Sequence, residues 1–187
     1  MDIKVFDNLE IGNTNQGEIN IKLSVLPINK FIIGVLTTIT FICFVFPISL
    51  FFFDKLEIGF PIIISFVIFW GTAVYFFKIL IWNKFGKEVY SITKDRISFF
   101  YDYGFFRSNP TSVKYNKIKF CYQNKEVIKE VVERSDDFPT LKSNIFFILD
   151  EDNIISSQLQ TKVFNILRIK DIYNRDVRVI ESESTEK

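Results

Sequence analysis

The chain contains no histidine. That absence closes Ser-His-Asp and Cys-His nucleophilic catalysis, the H-E-x-x-H zinc proteases and histidine proton shuttles. Cysteine is nearly as scarce: Cys43 and Cys121 lie in dissimilar surroundings with no C-x-x-C spacing. Such a pair does not make a disulfide framework, and a reducing compartment fits. Neither G-x-x-x-x-G-K-[ST] nor G-x-G-x-x-G occurs, so nucleotide binding has no support. The net charge is only +1, which argues for no nucleic-acid partner. Asp150, Glu151, Asp152 and Asn153 form an acidic run without the D-x-D-x-D-G spacing of a calcium loop. It reads as a solvated hairpin turn. No metal, cofactor or catalytic residue is expected, and an enzyme is the least favoured class.

What the chain has instead is uncharged apolar length. Hydrophobic residues make up 48% of it, including 23 Phe. No charged residue falls within 31–53 or within 58–77. At about 1.5 Å per helical residue, either run can cross a hydrocarbon layer of roughly 30 Å. The short stretch between them carries Asp54, Lys55 and Glu57. The economical reading is a transmembrane helical hairpin over 30–83. Lys22 and Lys30 precede it, and Lys78, Lys84 and Lys87 end it. The positive-inside rule then puts the loop outside and both termini in the cytoplasm, in a multi-pass protein of the inner (cytoplasmic) membrane. No acid or base sits deep in either run, which disfavours an ion pathway. Gly34 and Thr38 on the first helix, and Ser65, Gly71, Thr72 and Ala73 on the second, supply small residues. They are expected to pack the hairpin on itself.

The flanks read differently. Residues 1–29 form an N-terminal segment. Its first sixteen residues are polar and lack a signal-peptide pattern, and they read as a weakly ordered lead-in. In the strand expected at 18–26, Ile19, Ile21, Leu23 and Val25 alternate with Glu18, Asn20, Lys22 and Ser24. Such a strand needs a partner, and the region after the hairpin offers one. Over 86–176 short strands are expected at 88–93, 96–103, 112–115, 118–122, 126–133, 144–149 and 154–156, with 126–133 read as strand for its valines although its closely spaced opposite charges also suit a helix. A helix follows at 158–174, with Ser157 and Gln160 at capping-box spacing. Residues 135–139 read as a loop, and 177–187 as a disordered polar tail.

The first hairpin of this region reads Tyr90, Ile92, Thr93, Arg96, Ile97, then Gly104 and Arg107. This resembles the Y-x-[IL]-T-x-x-R-[IL] start of bacterial pleckstrin-homology-like domain proteins, many of which follow an N-terminal two-helix transmembrane hairpin. The resemblance implies an α+β membrane protein. Its two-helix hairpin carries a small antiparallel β-sandwich or barrel closed by a C-terminal helix. It also implies an adaptor role at the membrane face rather than catalysis.

Between positions 78 and 119, the cations are Lys78, Lys84, Lys87, Lys94, Arg96, Arg107, Lys114, Lys117 and Lys119. Only Glu88, Asp95 and Asp102 oppose them. Lys84, Lys87, Lys114, Lys117 and Lys119 are the candidate contacts to anionic lipid headgroups. The bland alternative is ordinary positive-inside charge on solvated strand faces. The expected partners are the lipid bilayer and anionic lipid, together with a second copy or another membrane protein. The competing reading is a small membrane protein acting through its spans, as a toxin-immunity factor or an accessory subunit of a larger integral complex.

Overall fold

The alternating stretch after Gly17 forms β3 (Glu18–Ser24), with Ile19, Ile21 and Leu23 fully buried and the intervening polar residues half-buried. It is seen in a computed structural model that describes residues 2–14, 17–26, 28–50, 60–132 and 140–177. The chain divides into two compact units. One is Leu26–Gly86, and the other joins the chain before it to the chain after it.

The Leu26–Gly86 unit is a pair of packed helices, α1 (Lys30–Ser49) and α2 (Phe60–Phe85). Asn29 caps α1 by accepting the Phe31 amide at 3.0 Å. Both helices are long and apolar enough to cross a bilayer, and their side chains are mostly exposed. Their polar groups are answered locally. The hydroxyls of Thr37, Thr38, Thr40 and Thr72 each donate to the carbonyl four residues back, at 2.8–3.0 Å. Aromatic rings lie between the helices, with Phe44 stacked on Trp70 at 5.8 Å and Phe46 tilted on Phe69 at 4.8 Å. Ala73 and Cys43 are buried. The expectation that all the small residues close the hairpin needs correction. A Cβ added at Gly34 or Gly71 would meet nothing within 4 Å, so bulky aromatics rather than these glycines make the helix contact.

The other unit is built on two antiparallel sheets. The first is a meander in chain order: β1 (Asp2–Phe6), β2 (Leu9–Thr14), β3, β4 (Lys87–Ile92), β5 (Arg96–Asp102) and β6 (Thr111–Lys114). The second has the order β10 (Asn153–Lys162), β9 (Lys142–Leu149), β7 (Ile118–Asn124), β8 (Val127–Glu130). β3 pairs with β4, placing Ile19 opposite Ile92 and Ser24 opposite Lys87. The helical pair is therefore an insertion between neighbouring strands of one sheet. The inner faces of both sheets share a core with α3 (Val163–Asp176), built on Tyr90, Phe120, Phe147, Ile145, Ile166 and Ile169. Among the described residues the strands do not close into a barrel.

Three local expectations are overturned. The lead-in at 1–16 is instead the hairpin β1–β2. Its turn docks through Asn8, whose amide donates to the Gln160 carbonyl at 2.9 Å, while Lys162 pairs with Asp7 at 2.7 Å and Arg168 covers the Phe6 ring at 4.1 Å. Polarity there marks a docking turn rather than disorder. The C-terminal helix starts at Val163, because β10 pairs with β9 as far as Lys162. Ser157 is not a cap: its hydroxyl accepts the Ile145 amide at 2.8 Å and donates to the Leu159 carbonyl at 2.7 Å. Cross-strand donors and acceptors outcompete a local helix turn there. The strand at 126–133 is shorter, and all four residues of β8 are exposed on a sheet edge. The loops expected at 54–57 and 135–139, and all of the tail beyond Val177, lie outside the described residues. Val177 itself is buried.

Candidate functional site

The five candidate lysines do not form one patch. Lys84 lies in the last turn of α2, its Nζ 5.1 Å from the centre of the Phe85 ring. Lys87 begins β4 and stands opposite Asp102, whereas Lys114 ends β6 opposite Arg96. Because β4 and β5 are antiparallel, with Ile92 opposite Ile97, these positions mark opposite ends of the ladder. They are separated along it by roughly 15–20 Å at about 3.3 Å per residue.

Lys117 and Lys119 are brought together. They line a cleft of about 300 Å³ with Ile118, Phe120, Glu130, Lys170 and Asn174. Two tethers shape its mouth. Asp150 accepts the backbone amides of Asn116 and Lys117 at 3.0 and 2.8 Å, fixing the approach to β7. Asp150 and Glu151 hold positive φ angles of 49° and 72°, so the acidic run is the tight β9–β10 turn, as its composition suggested. Lys119 pairs with Glu151 at 3.4 Å, and Lys170 with Glu130 at 3.5 Å. Lys170 also donates to the Val131 carbonyl. The cleft is thus a lysine-lined opening partly neutralised by its own acids. Such exposed pairs contribute about 0–1 kcal/mol each and exchange readily with a competing anion. Lys170 was not among the sequence candidates, because it reaches the cleft from α3, about fifty residues along the chain from Lys117 and Lys119.

The most constrained ionisable group is Glu88, only 1% exposed. Its cause is a bulge. Residues 157–159 of β10 stand opposite Ile145 alone, between the pairs Ser156–Phe146 and Gln160–Asn144. The bulge strips the amides of Gln158 and Leu159 of ladder partners. Glu88 reaches across from the first sheet, and its Oε1 accepts both, at 2.8 and 3.1 Å. Its Oε2 accepts the Tyr90 hydroxyl at 3.0 Å. Burial pushes the Glu88 carboxyl above its ordinary range, and the three donors oppose that rise. The Tyr90 and Tyr101 hydroxyls are also pushed up, first by burial and then by the nearby carboxylate. Buried this deeply, Glu88 meets no substrate, and its work is to join the sheets. A sequence signal existed: Glu88, Tyr90 and Ile92 share one strand face by period two, so a glutamate had to enter the core.

This rearranges the charge count. Glu88 leaves the surface, and Asp102 is held by Arg107 at 3.1 Å. Among the described residues no group of three or more Cys, Asp or Glu is placed to hold a metal ion. No protein-family model, no curated protein and no solved structure matches the chain.

Proposed function

We propose that the chain is a non-enzymatic, membrane-anchored adaptor. In this reading α1 and α2 span the inner membrane with both termini cytoplasmic. The two-sheet unit is a pleckstrin-homology-like domain, extended by three N-terminal strands, that binds a partner protein, a second copy or anionic headgroups. The observation that carries it is the insertion of two exposed apolar helices between the paired strands β3 and β4. Exposed apolar surface on this scale needs a lipid or protein environment. An insertion within one sheet holds the domain to the bilayer at two chain crossings rather than by one tether.

Support for the domain reading comes from where its motif residues fall. Tyr90, Ile92 and Ile97 are buried, and Thr93 closes the β4–β5 turn through its amide on the Arg96 carbonyl at 2.9 Å. Support for a protein partner is the Lys117–Lys119–Lys170 cleft, which follows Tyr115 at the Lys94 end of the sheet, where the Tyr115 amide donates to the Asp95 carbonyl at 2.9 Å.

Alkaline carbonate extraction and cysteine labelling test the anchor. A cysteine placed within 54–59 should react with an impermeant maleimide from outside intact cells, and Lys94→Cys only after permeabilisation. Release by carbonate would overturn the anchor, and the opposite labelling pattern would overturn the orientation. Photocrosslinkers at Val67 and at Lys117 separate the adaptor from the competing reading. Specific protein crosslinks confined to Val67 would shift the activity to the spans.

A further inference from the structure

The β5–β6 connection carries an aromatic tip of Tyr103, Phe105 and Phe106. Phe105 is 77% exposed and Phe106 45%. They are the two exposed phenylalanines among the described residues of the two-sheet unit. The turn that carries them is braced by hydrogen bonds. The Tyr103 amide donates to the Phe106 carbonyl at 2.9 Å, the Gly104 amide to Asp102 Oδ1 at 2.8 Å, and the Ser108 amide to the Tyr101 carbonyl at 2.8 Å. Gly104 takes φ 86°, which a side chain would strain. Tyr103 and Phe106 stack at 4.4 Å, and Arg107 closes the base on Asp102. The exposed rings are held out, not left over.

Sheet register shows which way they are held. Ser24, Lys87 and Asp102 stand side by side across β3, β4 and β5. The chain leaves this end of β3 toward α1 and returns to this end of β4 from α2, with only Gly86 between α2 and β4. The tip runs on past Asp102 by two residues, about 7 Å at strand rise. The aromatic tip and both chain crossings therefore occupy the same end of the sheet, while the turn at Lys94 occupies the other.

We propose that this tip is a third membrane contact, with Tyr103, Phe105 and Phe106 seated in the headgroup–acyl boundary and Lys87 and Arg107 beside anionic headgroups. The inference rests on the membrane-anchor reading above. Amphipathic and aromatic rings settle at that depth, with cations just outside it. The contact would hold the sheet at a set tilt to the bilayer and so decide which of its surfaces faces the cytoplasm.

The test uses the full chain reconstituted in phosphatidylcholine–phosphatidylglycerol vesicles. An environment-sensitive fluorophore is attached at Phe105→Cys, Lys94→Cys or Val67→Cys. The probe at 105 should lose most of its quenching by aqueous iodide relative to 94, and be quenched by nitroxides carried at headgroup depth. The probe at 67 should respond to nitroxides deep in the acyl region. If 67 is deep but 105 is as aqueous as 94, the tip contact is wrong and the anchor stands. If 67 is not deep, both fall. A p-benzoylphenylalanine at 105 in the otherwise native chain supplies a second measurement. Crosslinks to lipid support the contact, and crosslinks to a second copy with no lipid product overturn it.

Discussion

Replacing Glu88 separates hydrogen bonding from charge. In Glu88→Ala, the amides of Gln158 and Leu159 and the Tyr90 hydroxyl lose their acceptor inside the core. An unsatisfied buried donor costs about 1–3 kcal/mol, and with partial relaxation the loss should reach about 3–6 kcal/mol. That is a large share of the roughly 5–15 kcal/mol that keeps a domain folded. Glu88→Gln keeps a carbonyl oxygen for the two amides, and Tyr90 can turn its hydroxyl to accept from the new amino group. It should stay within about 1 kcal/mol of the parent at neutral pH. The two variants also differ in pH response. The folded carboxyl lies above its ordinary 4.5, so between that value and its folded pKa the native state holds more protons than the unfolded one. Stability from this group is therefore greatest below 4.5 and falls as pH rises through that window. Glu88→Gln should remove that slope. Asp7 acts in the opposite sense, because its pairing with Lys162 lowers its carboxyl below 3.8 and places its loss at more acid pH. The assay is urea unfolding of the full chain in zwitterionic micelles across this pH range, with hydrogen exchange at Gln158 and Leu159 as a local readout. Equal damage from Gln and Ala, or an unchanged pH slope in Glu88→Gln, would refute the reasoning.

Gly86→Ala should destabilise the α2–β4 junction by about 1–3 kcal/mol, because the added Cβ would fall 2.3 Å from the Trp82 carbonyl oxygen and 2.6 Å from its ring. Thermal unfolding reads this, with Gly34→Ala as the control expected to be neutral or slightly stabilising in the open position it occupies. Asn8→Ala should cost about 2–4 kcal/mol by orphaning the Gln160 carbonyl and the Thr161 hydroxyl. Limited proteolysis should then cut the β1–β2 hairpin faster than in the parent. Cys121 is buried and its thiol is pushed up mainly by burial, so alkylation at mildly alkaline pH should stay slow until the chain unfolds. Mass spectrometry of the alkylated peptide measures it, and fast labelling in the native state would contradict its placement.

The parts of the fold visible in the sequence are those governed by local periodicity. Two uncharged runs specified α1 and α2, because helix length against apolar length needs no knowledge of neighbours. Alternation specified β3, and paired turns specified β4–β5 and β9–β10. The lysines at 117 and 119 were visible as charges, but their meeting with Lys170 was not, since that residue arrives from α3 through tertiary packing. The start of α3 was misplaced for a related reason. Residues 157–162 carry a pattern that suits a helix, and only the continued ladder with β9, together with the carboxylate from β4, makes them strand.

By itself the sequence determined what each stretch must hide from water: the two long apolar helices along their length, the strands on alternate faces, the last helix on one side. Only the tertiary structure decided who hides it. The N-terminal polar stretch became two strands because Asn8, Asp7 and Phe6 find partners on β10 and α3. Glu88 became an internal bridge because a bulge more than sixty residues away in the chain frees two amides at its height. The helices became an insertion within one sheet because β3 and β4 pair across them. Periodicity is a property of neighbours along the chain, whereas these pairings depend on groups distant in sequence meeting with matched hydrogen-bonding capacity.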